Sequence, residues 1–326
     1  MLKFIKISLV LLSLLLGCNS VQANENSHRA DNPKANSVNP WKPTVKGVLT
    51  KSAKVVRNIA YKKVGKTSLD LDLYLPKDAK NIPLIVWVHG GAWMHGDKTV
   101  FTYQGKNINL LNALINAGYA VASIDYRLSQ VAKFPAQIQD INDATEFLWK
   151  QALSYNLDKT RIAMMGRSAG AHLAGLAAMS NNAHIKNFIT SVPKADFNID
   201  AFVGFYTPSN LLSLGAAHNQ KGKRPTAEAL LLGAAPSTIP EIAKKASPVT
   251  YINKNTPPTL LFHGKKDPLV PYTQSVAYKA DLDKAGVPSE LYLVKDATHG
   301  DKKFDSKVNV DRVLAFLHTY FPVTNK

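Results

Sequence analysis

From residue 55 onward the chain alternates between short apolar runs and longer stretches of helical periodicity. Segments 58–64 and 68–75 read as strands. In the second, Leu69, Leu71, Leu73 and Leu75 alternate with polar neighbours, the two-residue period of a half-buried antiparallel strand. Pro76-Lys77-Asp78 ends it. The run Pro83-Leu-Ile-Val-Trp-Val88 is continuously apolar, as a strand covered on both faces requires. A helix follows over 107–117, stopped by Gly118, then a strand over 119–124, an amphipathic helix over 136–153, a strand over 161–165 and a helix of small residues over 169–179. Later strands are read at 201–206, 259–262 and 289–294, with helices at 272–285 and 308–321. Strands alternating with helices predict an α/β fold, a mostly parallel central sheet with helices on both faces. The stretch 208–252 is helix-rich but irregular and is read as a small cap at most.

The first residues have a different character. MLKFIKISLVLLSLLLGCNS carries Lys3 and Lys6, an apolar run over 7–16, and then small residues, the layout of a secretory signal. The run is short for a membrane-spanning helix. Cys18 follows Leu15-Leu16-Gly17, which resembles the lipobox of bacterial lipoproteins. That resemblance implies cleavage before Cys18 and its acylation as a membrane anchor. Val21-Gln22-Ala23 offers a competing cleavage site that leaves a soluble periplasmic protein. Residues 1–23 are therefore read as the signal, 24–54, rich in Asn, Ser, Pro and Lys, as a flexible tether, and 55–322 as one folded domain. The expected location is the bacterial cell envelope. Cys18 is the single cysteine, so no internal disulfide can form.

The net charge of +17 raises the question of nucleic acid. The basic residues are scattered, with no basic helix and no zinc-finger spacing, so they read as a solvated surface and no nucleic-acid partner is expected.

Chemistry concentrates in two segments. Gly166-x-Ser168-x-Gly170 lies between an apolar strand and a small-residue helix. A sharp strand-to-helix turn that exposes a nucleophilic serine needs this context, with glycines relieving the crowding. His89-Gly90-Gly91-Ala92-Trp93 closes the strand 83–88. A glycine-rich turn there can aim backbone N–H groups at a developing oxyanion, together with the N–H of Ala169. His89 is read as ordering this loop.

These segments, with Gly96-Asp97-Lys98, Asp125-Tyr126-Arg127-Leu128 and a late His263-Gly264-x-x-Asp267, resemble the carboxylesterase branch of the α/β-hydrolases. The likeness covers 55–322 and points to the hormone-sensitive-lipase-like esterases and the bacterial acetyl-xylan and feruloyl esterases. Ala92 departs from the third glycine of many relatives, but it keeps its N–H. The order nucleophile, acid, histidine then selects Ser168, Asp267 in the loop after strand 259–262, and His299 after strand 289–294. Asp296 is the competing acid. His263 is read as packing at a strand end and His172 as supporting the site. His95 and Asp97 lack further ligands at a metal-binding spacing, and neither metal nor cofactor is expected. Trp93 and Tyr206 are candidate substrate contacts. The reading is a serine carboxylesterase acting on short-chain or aryl esters through an acyl-enzyme. The alternatives are an aryl-formamidase of the same fold, or an inactive binding module that would lack part of the triad. The expected partner is a small-molecule ester, with membrane contact through the Cys18 lipid alone.

Overall fold

The computed structural model describes residues 48–324 other than 104–106, 184, 186–187, 189, 191–196 and 219–224. The signal, Cys18 and most of the tether lie outside the described residues. The strands are β1 (Ala53–Val64), β2 (Thr67–Pro76), β3 (Ile82–Val88), β4 (Ala120–Ile124), β5 (Leu157–Arg167), β6 (Ala201–Phe205), β7 (Thr259–Gly264) and β8 (Ser289–Val294). They share one sheet in the order β1-β2-β4-β3-β5-β6-β7-β8. The β1–β2 and β2–β4 pairings are antiparallel; from β4 to β8 all neighbours are parallel. This is the mixed, mostly parallel α/β sheet expected from the sequence.

The helices are α1 (Val100–Tyr103), α2 (Ile108–Asn116), α3 (Ala136–Lys150), α4 (Ala169–Asn182), α5 (Leu211–His218), α6 (Ala227–Leu232), α7 (Pro240–Lys245), α8 (Thr273–Lys284) and α9 (Lys307–Tyr320). Successive strand residues point to opposite faces, so the sheet carries two cores. Leu84, Val86 and Val88 of β3 join Ile138 and Ile141 of α3, Leu173 and Leu176 of α4, and Tyr278 of α8. Ile85 and Trp87 face the other way, toward Leu111 and Leu114 of α2 and Val313 and Phe316 of α9. All seven residues of β3 are buried, which is why that stretch reads as an unbroken apolar run.

Three boundaries differ from the sequence reading. Thr50 N donates to Asn112 Oδ1 (2.8 Å) and Asn112 Nδ2 to the carbonyl of Val48 (3.0 Å), so residues 48–52 dock on α2. The folded part thus starts before the tether boundary drawn at 54. Strand β5 begins at Leu157, not 161; the polar segment Asp158–Arg161 hides its start. The helix read over 136–153 stops at Lys150, and a 3-10 turn over Leu153–Tyr155 ends on Asn156 in the left-handed region (φ 56°), a conformation asparagine tolerates.

Candidate active site

The site gathers at the carboxyl ends of β3, β5, β6, β7 and β8, where α/β sheets place their ligands. Ser168 follows β5 and precedes α4. Its φ of 52° and ψ of −125° lie outside the regions L-residues ordinarily adopt, and the strain is held by the structure around it. Its N–H donates to the carbonyl of Phe205 in β6 (2.9 Å), and its carbonyl accepts from His172 N (2.9 Å), the first turn of α4. The turn closes because Gly166 and Gly170 have no side chain. A Cβ on Gly166 would lie 2.6 Å from the backbone of Gly170, and one on Gly170 would collide with the carbonyls of Val88 and His89.

Asp267 and His299 come from loops far apart in the chain. His299 Nε2 lies 2.9 Å from Ser168 Oγ, and its Nδ1 lies 2.8 Å from Asp267 Oδ2. The other carboxylate oxygen accepts from the N–H groups of Leu269 and Val270, each at 2.9 Å. Burial pushes the Asp267 carboxyl upward, but donors from His263, His299 and the Val270 backbone outweigh it and hold the group well below the usual carboxylate range. Asp267 is therefore ionised and fixes the proton of His299 on Nδ1, leaving Nε2 to accept from Ser168. The competing acid Asp296 is exposed and paired with Lys266 (2.9 Å).

The turn after β3 lies against the serine. A Cβ on Gly90 would stand 3.4 Å from Ser168 Cβ. Gly91 has a φ of 123°, and Ala92 and Trp93 follow at 54° and 60°, three successive residues in the left-handed half of conformational space. The turn is closed by Met94 N and His95 N on the Gly91 carbonyl (3.0 and 2.9 Å). His89 stacks on Tyr126 (centroids 4.3 Å, 14°), and Tyr126 donates its hydroxyl proton to the His89 carbonyl. Burial lowers the His89 imidazole below its ordinary value. Gly90, which opens this turn, thus lies against Ser168, which Ala169 follows in the chain.

The two candidate substrate contacts are both buried. Tyr206 is buried, with its ring 4.5 Å from His299 and 4.9 Å from Phe304. It packs against the histidine ring. Trp93 is also buried, and its indole Nε1 donates to His172 Nδ1 (3.1 Å), so its polar edge is committed internally.

Two features escaped the sequence reading. His263 packs at the strand end as expected, but it also approaches Asp267 to 3.4 Å. The motif around Asp125 proves to be a brace. Asp125 accepts from Lys98 N (2.7 Å), Arg127 grips Asp140 through Nε and Nη2 (2.7 and 2.8 Å), and Ser129 N donates to the Trp93 carbonyl (2.8 Å). The spacing of acidic and basic residues gave no hint of these pairings. Among the described residues no three or more His, Cys, Asp or Glu gather as metal ligands. A hollow of about 340 Å³ lined by Ala117, Tyr119, Leu314, His318 and Val323 lies at the start of β4, away from the site.

A nucleophile elbow after β5 in the middle of a mostly parallel sheet, with the acid after β7 and the histidine after β8, defines the α/β-hydrolase class. The chain belongs to the BD-FAE family, whose model matches residues 71–282. It is similar to Esterase LipQ of Mycobacterium tuberculosis, with 30% identity over 79% of this chain and 59% of that protein. It is also similar to the isoprenylcysteine alpha-carbonyl methylesterase of Arabidopsis thaliana, with 29% identity over 71% and 53%. The chain spans little more than half the length of these curated relatives. A solved structure described as a truncated carbohydrate esterase from gut microbiota superposes with a TM-score of 0.70 and 27% identity, covering 84% of this chain and 99% of that one.

Proposed function

We propose that the protein is a carboxylic ester hydrolase working through an acyl-enzyme on Ser168. The observation that carries this is the continuous relay Ser168 Oγ–His299–Asp267, at 2.9 and 2.8 Å, beside the Gly90–Ala92 turn. His299 Nε2 takes the hydroxyl proton as Ser168 Oγ attacks the ester carbonyl, and Asp267 steadies the resulting imidazolium. The carbonyl electrons move to oxygen, where the N–H of Ala169 and those of the turn receive the charge. Collapse breaks the bond to the alcohol, which leaves with the proton from His299. Water then repeats the sequence on the acyl-enzyme and releases the acid.

Small acyl groups on carbohydrate or aryl alcohols are the proposed substrates. Support comes from the short insertion over 208–252 and from likeness to a carbohydrate esterase over nearly all of that chain. Export through the N-terminal signal is part of the same proposal. The test is intact-mass analysis after fluorophosphonate treatment, with turnover of p-nitrophenyl acetate, acetylated xylan and an aryl formamide. One adduct and ester turnover, both lost in Ser168→Ala, are expected. An unlabelled, folded wild type would overturn the proposal, and faster formamide turnover would redirect it to amide hydrolysis.

A further inference from the structure

His172 is fully buried in the first turn of α4, yet both of its ring nitrogens are engaged with groups from distant parts of the chain. An indole N–H can only donate, so His172 Nδ1 accepts from Trp93 Nε1 (3.1 Å). A carbonyl can only accept, so Nε2 donates to the Ala246 carbonyl (2.7 Å). The two rings meet edge to face, with centroids 5.2 Å apart at 87°. One tautomer of neutral imidazole satisfies both partners.

The three linked elements all bear on the site. Trp93 is the last of the three left-handed residues in the turn beside Ser168. His172 is three residues beyond Ala169, the other oxyanion donor. Ala246 caps α7, and its neighbour Ser247 accepts from Leu211 N of α5 and donates to the Ala243 carbonyl, tying the insertion together. From the opposite side the Trp93 carbonyl is held by Ser129 N. A turn with two successive strained residues, Ala92 and Trp93, does not hold its shape alone.

We infer that His172 is a positioning residue that fixes the two halves of the oxyanion hole relative to each other and couples both to the inserted segment over 208–252. This rests on the esterase proposal above. His172 touches no reacting atom; it acts by keeping the Gly91–Trp93 backbone in register with Ala169. Burial lowers the imidazole to about 4, consistent with a neutral strut.

The test uses side chains that copy one nitrogen at a time. The amide of Gln reaches the place of Nε2 and keeps the Ala246 link but loses the acceptor for Trp93. The amide oxygen of Asn overlies Nδ1 and keeps that acceptor. His172→Gln and Trp93→Phe are each expected to lower kcat on p-nitrophenyl acetate roughly ten- to a hundredfold with KM within a factor of about three, because the loss falls on the transition state. The double variant should be no slower than the worse single one, and His172→Asn should recover most of the loss seen with Gln. Wild-type kcat in both His172→Gln and Trp93→Phe would overturn the inference. So would additive losses that track melting temperature, the mark of a purely structural role. If His172→Gln does not fold, Trp93→Phe alone decides through its kcat-to-KM split. Inactivity of the wild type would instead sink the esterase reading.

Discussion

His263 Nε2 stands 3.4 Å from the same Asp267 oxygen that His299 Nδ1 holds at 2.8 Å. The first imidazole also donates to the Val270 carbonyl (2.9 Å) and meets Ser275 Oγ (2.7 Å), so its orientation is set from two sides. Asp267 is thereby kept charged in a buried place, which is what orients His299.

Asp267→Asn is expected to lower kcat by three to four orders of magnitude, because an amide no longer dictates the tautomer of His299. The carboxyl is held below its ordinary value, so its contribution to stability is present above the carboxylate range and lost as pH falls through its native value. The variant should be less stable than wild type at neutral pH and should approach it in strong acid. Steady-state kinetics and chemical denaturation at several pH values check both parts.

His172 provides a second pH signature. Its folded value of about 4 lies below the 6.5 of an exposed imidazole, so between those limits the unfolded chain takes up a proton that the native one refuses. Stability from the neutral ring is complete above pH 6.5 and fades as pH falls toward 4, by about 3 kcal/mol for this fully buried group. The gap in unfolding free energy between wild type and His172→Gln should narrow over that window. Parallel curves in urea titrations at pH 4.5 and 7 would contradict this.

Asp200 works in the opposite sense. Burial raises its carboxyl to about 6, although Ile162 N donates to it at 2.8 Å. The native state therefore holds the proton more tightly than the unfolded one, and stability declines as pH rises from 4 to 6. Asp200→Asn keeps an acceptor for Ile162. It is expected to stabilise the protein at pH 7 by of order 1 kcal/mol, allowing for partial solvent screening, with little effect below pH 4. Calorimetry at the two pH values decides it.

Gly91→Ala and Gly286→Ala separate local strain from damage to the site. Both positions have positive φ (123° and 71°), but a Cβ on Gly91 collides with the His95 carbonyl, whereas one on Gly286 meets nothing within 4 Å. Gly286→Ala should cost about 1 kcal/mol of stability and leave kcat unchanged. Gly91→Ala should lose a hundredfold or more in kcat/KM. Similar activity in the two variants would show that the turn does not shape the site.

Much of this was legible in the chain. β3 announces itself because every position is buried, and the Ser168 turn because glycines must flank it. Asp267 and His299 follow from their places after β7 and β8. What was not legible depends on which side chains meet across the sheet. Trp93 and Tyr206 sit where substrate contacts are common, but the pattern of one strand does not reveal that the Trp93 indole meets His172 or that the Tyr206 ring packs on His299. The positive φ values of Ala92, Trp93 and Tyr206 are equally invisible, since none of these is a glycine. They are imposed by tertiary packing. The start of β5 was missed because Asp158–Arg161 looks like a turn.

The relay is also unevenly secured. Ser168 rises from β5, flanked by β3 and β6 deep within the sheet, whereas His299 follows β8, the outermost strand, whose six residues are all half-buried and which hydrogen-bonds to β7 alone within the sheet. Margins of this kind peel before interiors melt. Loss of turnover is therefore expected to precede unfolding on warming and to reverse on cooling; p-nitrophenyl acetate hydrolysis and circular dichroism that fall together would contradict this.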